Sequence, residues 1–467
     1  MTSQETTFVR VLGRWDVLAV AFGAMIGFGW VVLTGEFLDG AGTLGAALAF
    51  VIGGVIMVLV GLTYAELASA MPAAGGEHNY LLRGMGSRAA FVTSWALVLG
   101  YVSVVAFEAV ALPSALQFLV PQLETGRLWS VAGSDVFAVW VAVGLGGAVV
   151  MTALNYLGVR PAAVFQSVIV IFLLAVGAVL LLGSFVGGDT GNMEPVFGSG
   201  LAGMVGVLVA VPFLFVGFDV IPQSAEEINL PSRLIGKLLV VSVMLAAAWY
   251  VLIMVTVGSS MPAAELAESD LAAADGMAAL WNSQAMGNIL ALGGVAGILT
   301  SWNAFLIGAS RLVFAMARSG MLPAWFSKVH PQYRTPSNAI LFIGALSVIS
   351  PFFGEEALVW LVDSGGLAII IAYILVASTF LVLRRREPEM ERPFRLVAGP
   401  VIGALAVVLS IGLAVLFLPG MPSALVLAEW LILAFWVVLG LVFFVRLPGV
   451  GPGADAEQRL LDTLRRR

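Results

Sequence analysis

The chain has 467 residues, of which 60% are hydrophobic and 11% charged, with mean hydropathy +1.04 and a formal net charge of −6. A water-soluble domain of this length needs far more charge to cover its surface, so that class is excluded. The absence of cysteine excludes a disulfide framework, a disulfide-linked partner subunit, thiolate chemistry and a cysteine-based metal centre.

Apolar windows of about 20 residues, each long enough to cross a hydrocarbon core of about 30 Å, recur along almost the whole chain. They are continuous rather than alternating, which argues for helices and against a β-barrel. Twelve spans are expected, over residues 16–37, 44–70, 88–119, 133–156, 161–186, 201–229, 233–259, 286–318, 337–352, 356–383, 398–418 and 424–446. The polar start "MTSQETTFVRVLGRWD" runs into the first span without a small-residue cleavage pattern, so no cleavable signal peptide is expected.

With the N-terminus in the cytoplasm, 21 of the 22 basic residues fall on the inner side, and only Arg127 falls outside. The predicted outer loops are acidic instead: Asp189, Glu194, Glu265, Glu268, Asp270, Asp275, Glu355 and Glu356. This places both termini in the cytoplasm and makes the chain a multi-pass protein of the cytoplasmic membrane. The tail "GPGADAEQRLLDTLRRR" is expected to be loose or a surface helix.

The first span contains "AFGAMIGFGWVVLTGE", with Gly23, Gly27, Gly29 and Gly35 followed by Glu36. The sixth, five spans on, reads "VLVAVPFLFVGFDVIPQSAEEINLP", with Pro212, Gly217, Asp219 and Pro222 inside an apolar run. Two interrupted helices at matching places in consecutive five-span blocks point to an inverted-repeat secondary transporter. The expected organisation is a cytoplasmic N-terminus (1–15), a first repeat (16–187), a second repeat (201–384), two further helices with their preceding loop (385–446) and a cytoplasmic tail (447–467).

Such breaks survive in lipid only where they are buried in protein or line a polar cavity. Half-helix N-termini favour a carboxylate, and half-helix C-termini favour an ammonium or small cation. A zwitterionic amino acid matches both. The competing reading is that the glycines serve only close helix packing.

Four stretches resemble the amino acid–polyamine–organocation (APC) superfamily, of the bacterial or archaeal amino acid permease type: "GAMIGFG", "YAELASAMPAAGGEHNYLLRGMG", "PFLFVGFDVIPQSAEE" and "NAFLIGASRLVFAMARSGMLPAWFSKVHPQYRTP". The resemblance runs over nearly the full length. It implies an all-α, twelve-helix, five-plus-five inverted-repeat (LeuT-like) fold, and alternating access for amino acids, amines or polyamines. It maps the substrate site onto Ala24, Met25, Ile26, Gly27, Phe28 and Gly29, and onto Phe213, Leu214, Phe215, Val216, Gly217 and Asp219. Phe213 falls where the family often has an aromatic that closes over the substrate.

The chain departs from the family in three places. Phe28 replaces a small residue between the two glycines, and Trp30 and Glu36 stand where apolar residues are usual. Leu173 falls where several proton-coupled members carry a lysine. The adjacent hydroxyls Thr300 and Ser301, with carbonyls of Gly23, Ile26 and Gly297, form a candidate sodium site of oxygen donors suited to a hard cation. Four acids fall within the spans: Glu36, Glu108, Asp219 and Asp363. Intramembrane carboxylates normally face a cavity or partner. Asp219 is the candidate for the substrate amine or the proton, and Glu108 for coupling or gating, with Glu36 and Asp363 as vestibule or helix-end acids.

Glu66, Arg83, Glu226, Glu227, Arg311 and Arg318 stand at cytoplasmic ends, as inner-gate pairs or solvated helix ends. His78 and His330 are expected to be loop residues without chemistry, so a zinc centre is not expected, and the tryptophans to be packing groups. No cofactor is expected beyond a coupling H⁺ or Na⁺, and the partners are a small-molecule substrate and lipid, not nucleic acid. An exchanger of the same fold is the alternative. A channel or an intramembrane enzyme lacks the pore ring or catalytic cluster it would need.

Overall fold

In the computed structural model, residues 8–131, 133–355, 357–421 and 423–466 are described; Glu356 and Arg467 of the sequence reading lie outside them. The first apolar segment is three helices, α1 (Arg14–Met25), α2 (Gly29–Val32) and α3 (Thr34–Ala41). Then come α4 (Thr43–Ala70), the short α5 (Glu77–Gly84) and α6 (Ser87–Gln117). A hairpin of β1 (Arg127–Val131) and β2 (Ser134–Phe137) leads into α7 (Ala138–Tyr156) and α8 (Val159–Gly187). Next come α9 (Gly200–Leu214) and α10 (Val220–Gln223), then α11 (Ser232–Gly258), short helices α12 (Ala263–Ala267) and α13 (Ala272–Trp281), and α14 (Gln284–Arg318). α15 (Ser337–Ile349), α16 (Ala357–Arg386), α17 (Gly399–Val415), α18 (Leu427–Phe444) and α19 (Ala456–Arg465) complete the chain.

Among the described residues, eight helices are long and apolar enough to cross a membrane, and three further apolar helices are shorter. Packing sorts them by depth. The most apolar window of α6 is 89% buried and that of α14 is 78% buried, against 17% for α18. α6 and α14 therefore form the centre of the bundle, and α18 lies at its edge.

Two local expectations change and one is decided between its alternatives. Residues 133–137 are not helical: β1 and β2 pair antiparallel, Trp129 opposite Val136, around Gly133 at φ +99°. The β-branched and aromatic residues that read as span are strand formers beside a turn that needs glycine. His78 is not a loop residue; it sits on α5, buried, with Nδ1 3.2 Å from Ser94 Oγ. The tail is a surface helix, α19, anchored by buried Ala456 and Leu460.

Both chain ends meet the same face. Leu12 bridges to Ile228 beyond α10, Phe8 packs edge-on to Phe314, and Gly453 N donates to Arg83 O beside α5.

Candidate functional site

Helix α1 ends at Met25, and the chain turns through Ile26, Gly27 and Phe28 before α2 begins. Helix α9 ends at Leu214 and the chain stays non-helical through Phe215–Asp219. Gly217 has φ +133°, a conformation that L side chains rarely adopt, and a Cβ there would come within 2.5 Å of the Ala24 Cβ. The two breaks therefore meet backbone to backbone.

Between them lies a cavity of about 20 Å³, lined by Ala24, Met25, Gly27, Phe28, Gly29 and Phe213 from the breaks, and by Glu108, Tyr250 and Ser301 from the surrounding helices. It is close to the space of a single water, so the site is nearly closed. A Cβ on Gly27 would stand 3.0 Å from Ser301 Cβ and 3.1 Å from Glu108 Oε1, so glycine is what lets α1 approach α6 and α14 here. The Ser301 hydroxyl sits beside the Glu108 carboxyl, whose Oε2 is buried without a hydrogen-bond partner. Tyr250 donates to Met25 O at 2.9 Å, and its hydroxyl is 3.5 Å from Leu214 O at the other break.

The candidate sodium residues gather one helical turn away. The Thr300 hydroxyl donates towards Gly23 O at 3.0 Å and Gly297 O at 2.9 Å. A Cβ on Gly297 would lie 3.1 Å from Ile26 O, so that carbonyl is close by. Ser301 instead turns towards Gly27 and Glu108. Leu173 is fully buried, and the same face of α8 ties to α1 through neutral groups: Gln166 Nε2 donates to Ala19 O at 3.2 Å while Gln166 Oε1 accepts from Asn303 at 2.8 Å.

The departures are absorbed by packing. The buried Phe28 ring lies against α14 at Gly294, and Trp30 packs edge-on against Trp249 at 5.3 Å. Phe213 covers the cavity edge-on to Phe107 at 5.8 Å. Glu36 is exposed on α3 and faces Asp363 of α16, together with Glu429 of α18, which the sequence reading did not single out. These acids form a group of their own, away from Glu108.

Asp219 does not line the cavity. It caps its own break, Oδ1 accepting from Gly217 N at 2.8 Å, and its buried Oδ2 is unpartnered. Phe215 is buried in a ring cluster, 5.3 Å from Tyr250 and 6.5 Å from Phe50. Around Asp219 is a second polar chamber that sequence reasoning missed. Glu77 of α5 accepts a hydrogen bond from Gln223 of α10, and Tyr64, Tyr101 and Tyr373 surround the two carboxylates with unpartnered hydroxyls. The signal was the Gly75-Gly76 pair before Glu77: both have positive φ, and a Cβ on Gly76 would reach to 2.8 Å from Pro222. Only glycine lets this loop enter the bundle against α10.

The charged residues at helix ends are paired. Arg311 forms a bidentate pair with Glu227 (2.8 and 3.2 Å), both side chains 1% exposed. Arg318 reaches Glu226 at 3.1 Å, and Arg83 reaches Glu387 at 2.6 Å. Arg311 is ten residues beyond Ser301 on α14, about 15 Å along the axis, so this layer seals the face that carries the chain ends.

Paired helix breaks buried inside a bundle of membrane-length helices define a multi-pass membrane protein of a transporter class. The chain belongs to the APC superfamily of amino acid permeases: the family model described as "Amino acid permease" matches residues 12–444. It is 29% identical to the branched-chain amino acid permease BcaP of Bacillus subtilis over 451 residues, covering 95% of this chain and 94% of that one. It is 28% identical to the methylthioribose transporter of the same organism (95% and 94% covered) and 26% identical to its aspartate-proton symporter (86% and 78% covered). The family is one of permeases, not of enzymes.

Proposed function

We propose that the protein is a secondary active transporter that moves an amino acid or small organic amine across the cytoplasmic membrane by alternating access, with both chain ends in the cytoplasm. The observation that carries the reading is the cavity between the two breaks, with glycine backbone on one side and the buried, half-unpartnered Glu108 carboxyl on the other. Twelve spans are supported by the broken first segment, the eight long helices and the three shorter apolar ones found among the described residues. The five-plus-five repeat is supported by α4 packing on α11 and α6 on α14, the pairs that a five-span offset relates.

The substrate's carboxylate takes the N–H groups at the start of α2 and its ammonium takes the acid side. The coupling ion is a proton carried by Glu108, since a carboxyl buried beside the substrate can bind and release one as the cavity opens. The relative named an aspartate-proton symporter supports the same choice. A sodium ion is the second reading, favoured by the convergence of Thr300, Gly23 and Gly297 oxygens.

Counterflow in proteoliposomes with a panel of labelled amino acids and amines tests the proposal. Saturable counterflow of at least one is expected, and an imposed pH or sodium gradient then separates proton coupling, sodium coupling and pure exchange. No counterflow with any amino acid or amine would reject it.

A further inference from the structure

On the face that carries the chain ends, α16 and α17 part to leave a cavity of about 220 Å³. Its wall holds four arginines, Arg384, Arg385, Arg392 and Arg395, and the apolar side chains of Leu381, Pro400 and Ala404. Glu66 of α4 is the one carboxylate bound into this group: it pairs with Arg384 at 2.5 Å and with Arg392 at 3.1 Å. Glu387 is taken by Arg83 on the far side, and Glu389 and Glu391 do not line the cavity. Among the described residues Glu66 is thus the one carboxylate paired with these four arginines, with Glu387, held by Arg83, acting on Arg392 from the side.

The two inner arginines are locked in place. Arg384 also donates to Leu396 O at 2.6 Å and stacks over Phe380 at 5.1 Å, while Arg392 donates to Met390 O at 2.9 Å and Glu387 O at 3.0 Å. Arg385 and Arg395 are exposed and make no ion pair among the described residues. Burial pulls the Arg392 guanidinium below its ordinary value; Glu66 opposes this, and the charges of Arg384 and Arg395 add to it. The positive charge is therefore crowded.

From this cavity an apolar stripe runs along α17. Val401, Leu405 and Val408 are exposed at helical spacing, and Val397, fully exposed, stands just before the helix. A fixed positive cradle at the membrane surface, open onto an apolar helix face, has the two halves that a phospholipid has.

We propose that this cavity binds an anionic phospholipid, its phosphate held by Arg385 and Arg395 and one acyl chain laid along the α17 stripe. A phosphate supplies the charge that Glu66 leaves uncompensated, and arginine suits it through paired N–H donors. The apolar wall selects a lipid over a soluble anion. The site touches neither helix break, so it stands or falls separately from the transport reading.

The test is native mass spectrometry of the full chain in detergent, titrated with phosphatidylglycerol, phosphatidylcholine or inorganic phosphate. Phosphatidylglycerol should bind in preference to phosphatidylcholine, and Arg385→Gln/Arg395→Gln should weaken it by about tenfold. Arg465→Gln/Arg466→Gln, on the exposed tail, should leave it unchanged. Equal binding by the cavity variant, equal binding of phosphatidylcholine, or displacement of the lipid by millimolar phosphate would each overturn the assignment. The exchanged arginines are surface groups, so folding is not at stake, and unaltered melting of the variants checks this.

Discussion

The two helix breaks solve one problem in different ways. The first, at Ile26–Phe28, is satisfied by its neighbours: Tyr250 of α11 caps Met25 O, and Thr300 of α14 caps Gly23 O. The second, at Phe215–Asp219, carries its own cap, Asp219 accepting from Gly217 N, and its own steric device, the positive φ of Gly217. A break held by other helices loosens when those helices move; a self-capped break keeps its shape. On the proposed alternating-access reading, the first break is the side of the site expected to respond to rearrangement of α11 and α14, and the second is expected to be the more fixed wall.

Forcing a side chain onto the fixed wall has the largest expected effect. Gly217→Ala meets both a forbidden φ and Ala24, and should destabilise the protein by about 3 kcal/mol. Thermal melting in detergent reads this directly, and an unchanged melting point would show that the wall is pliable.

Glu108→Gln comes next. It keeps the shape of the cavity and removes the charge, so accumulation driven by a pH gradient should be lost while counterflow persists. Retained, equally pH-dependent accumulation would remove Glu108 from coupling.

Tyr250→Phe tests the dependence of the first break on its neighbour. It strips Met25 O of its partner, at about 1–3 kcal/mol, and should weaken substrate binding by about tenfold in an equilibrium binding assay. The same variant also removes the longer contact to Leu214 O at 3.5 Å, but it leaves the Asp219 cap on Gly217 N in place, so the second break should be affected less.

Thr300→Ala with Ser301→Ala separates the ions. Any sodium dependence of uptake should vanish; a wild type with no sodium dependence removes the sodium reading at the outset.

The smallest effect at neutral pH concerns α5, which backs the second break through Gly76 and Pro222. Burial, and then the charge of Arg318, lower the His78 pKa from 6.5 to about 3. The folded protein resists protonating His78, so its contribution to stability is complete above pH 6.5 and declines as the pH falls from there towards 3. His78→Gln should flatten the acid side of a melting-point-against-pH curve without moving its value at pH 8.

The sequence carried the helices and both breaks well, because glycine and proline inside a long apolar run have few other uses. It marked Gly27 and Glu108 as candidates for the same reason, that a charge or a missing side chain at mid-span has to be explained, and the structure brings both to the cavity between the breaks. It missed what depends on tertiary approach. The Gly75-Gly76 pair hints that the loop before Glu77 makes a close approach, but not that Glu77 meets Gln223, and nothing local says that Asp219 faces the tyrosine chamber and not the cavity. Phe28, a candidate site residue, lines the cavity while its ring lies against α14, and Trp30, a departure from the family pattern, packs on Trp249. The hairpin at Arg127–Phe137 was hidden because its alternating residues are apolar enough to extend the following span.

The central claim is that the space opened by glycine at the first break is where substrate sits. The direct measurement is equilibrium binding of labelled amino acids to purified Gly27→Ala, with Gly146→Ala on α7, whose Cβ would meet nothing within 4 Å, as the matched control. The account predicts that both variants fold, that Gly146→Ala binds as the wild type does, and that Gly27→Ala does not bind. Wild-type affinity in Gly27→Ala would contradict it.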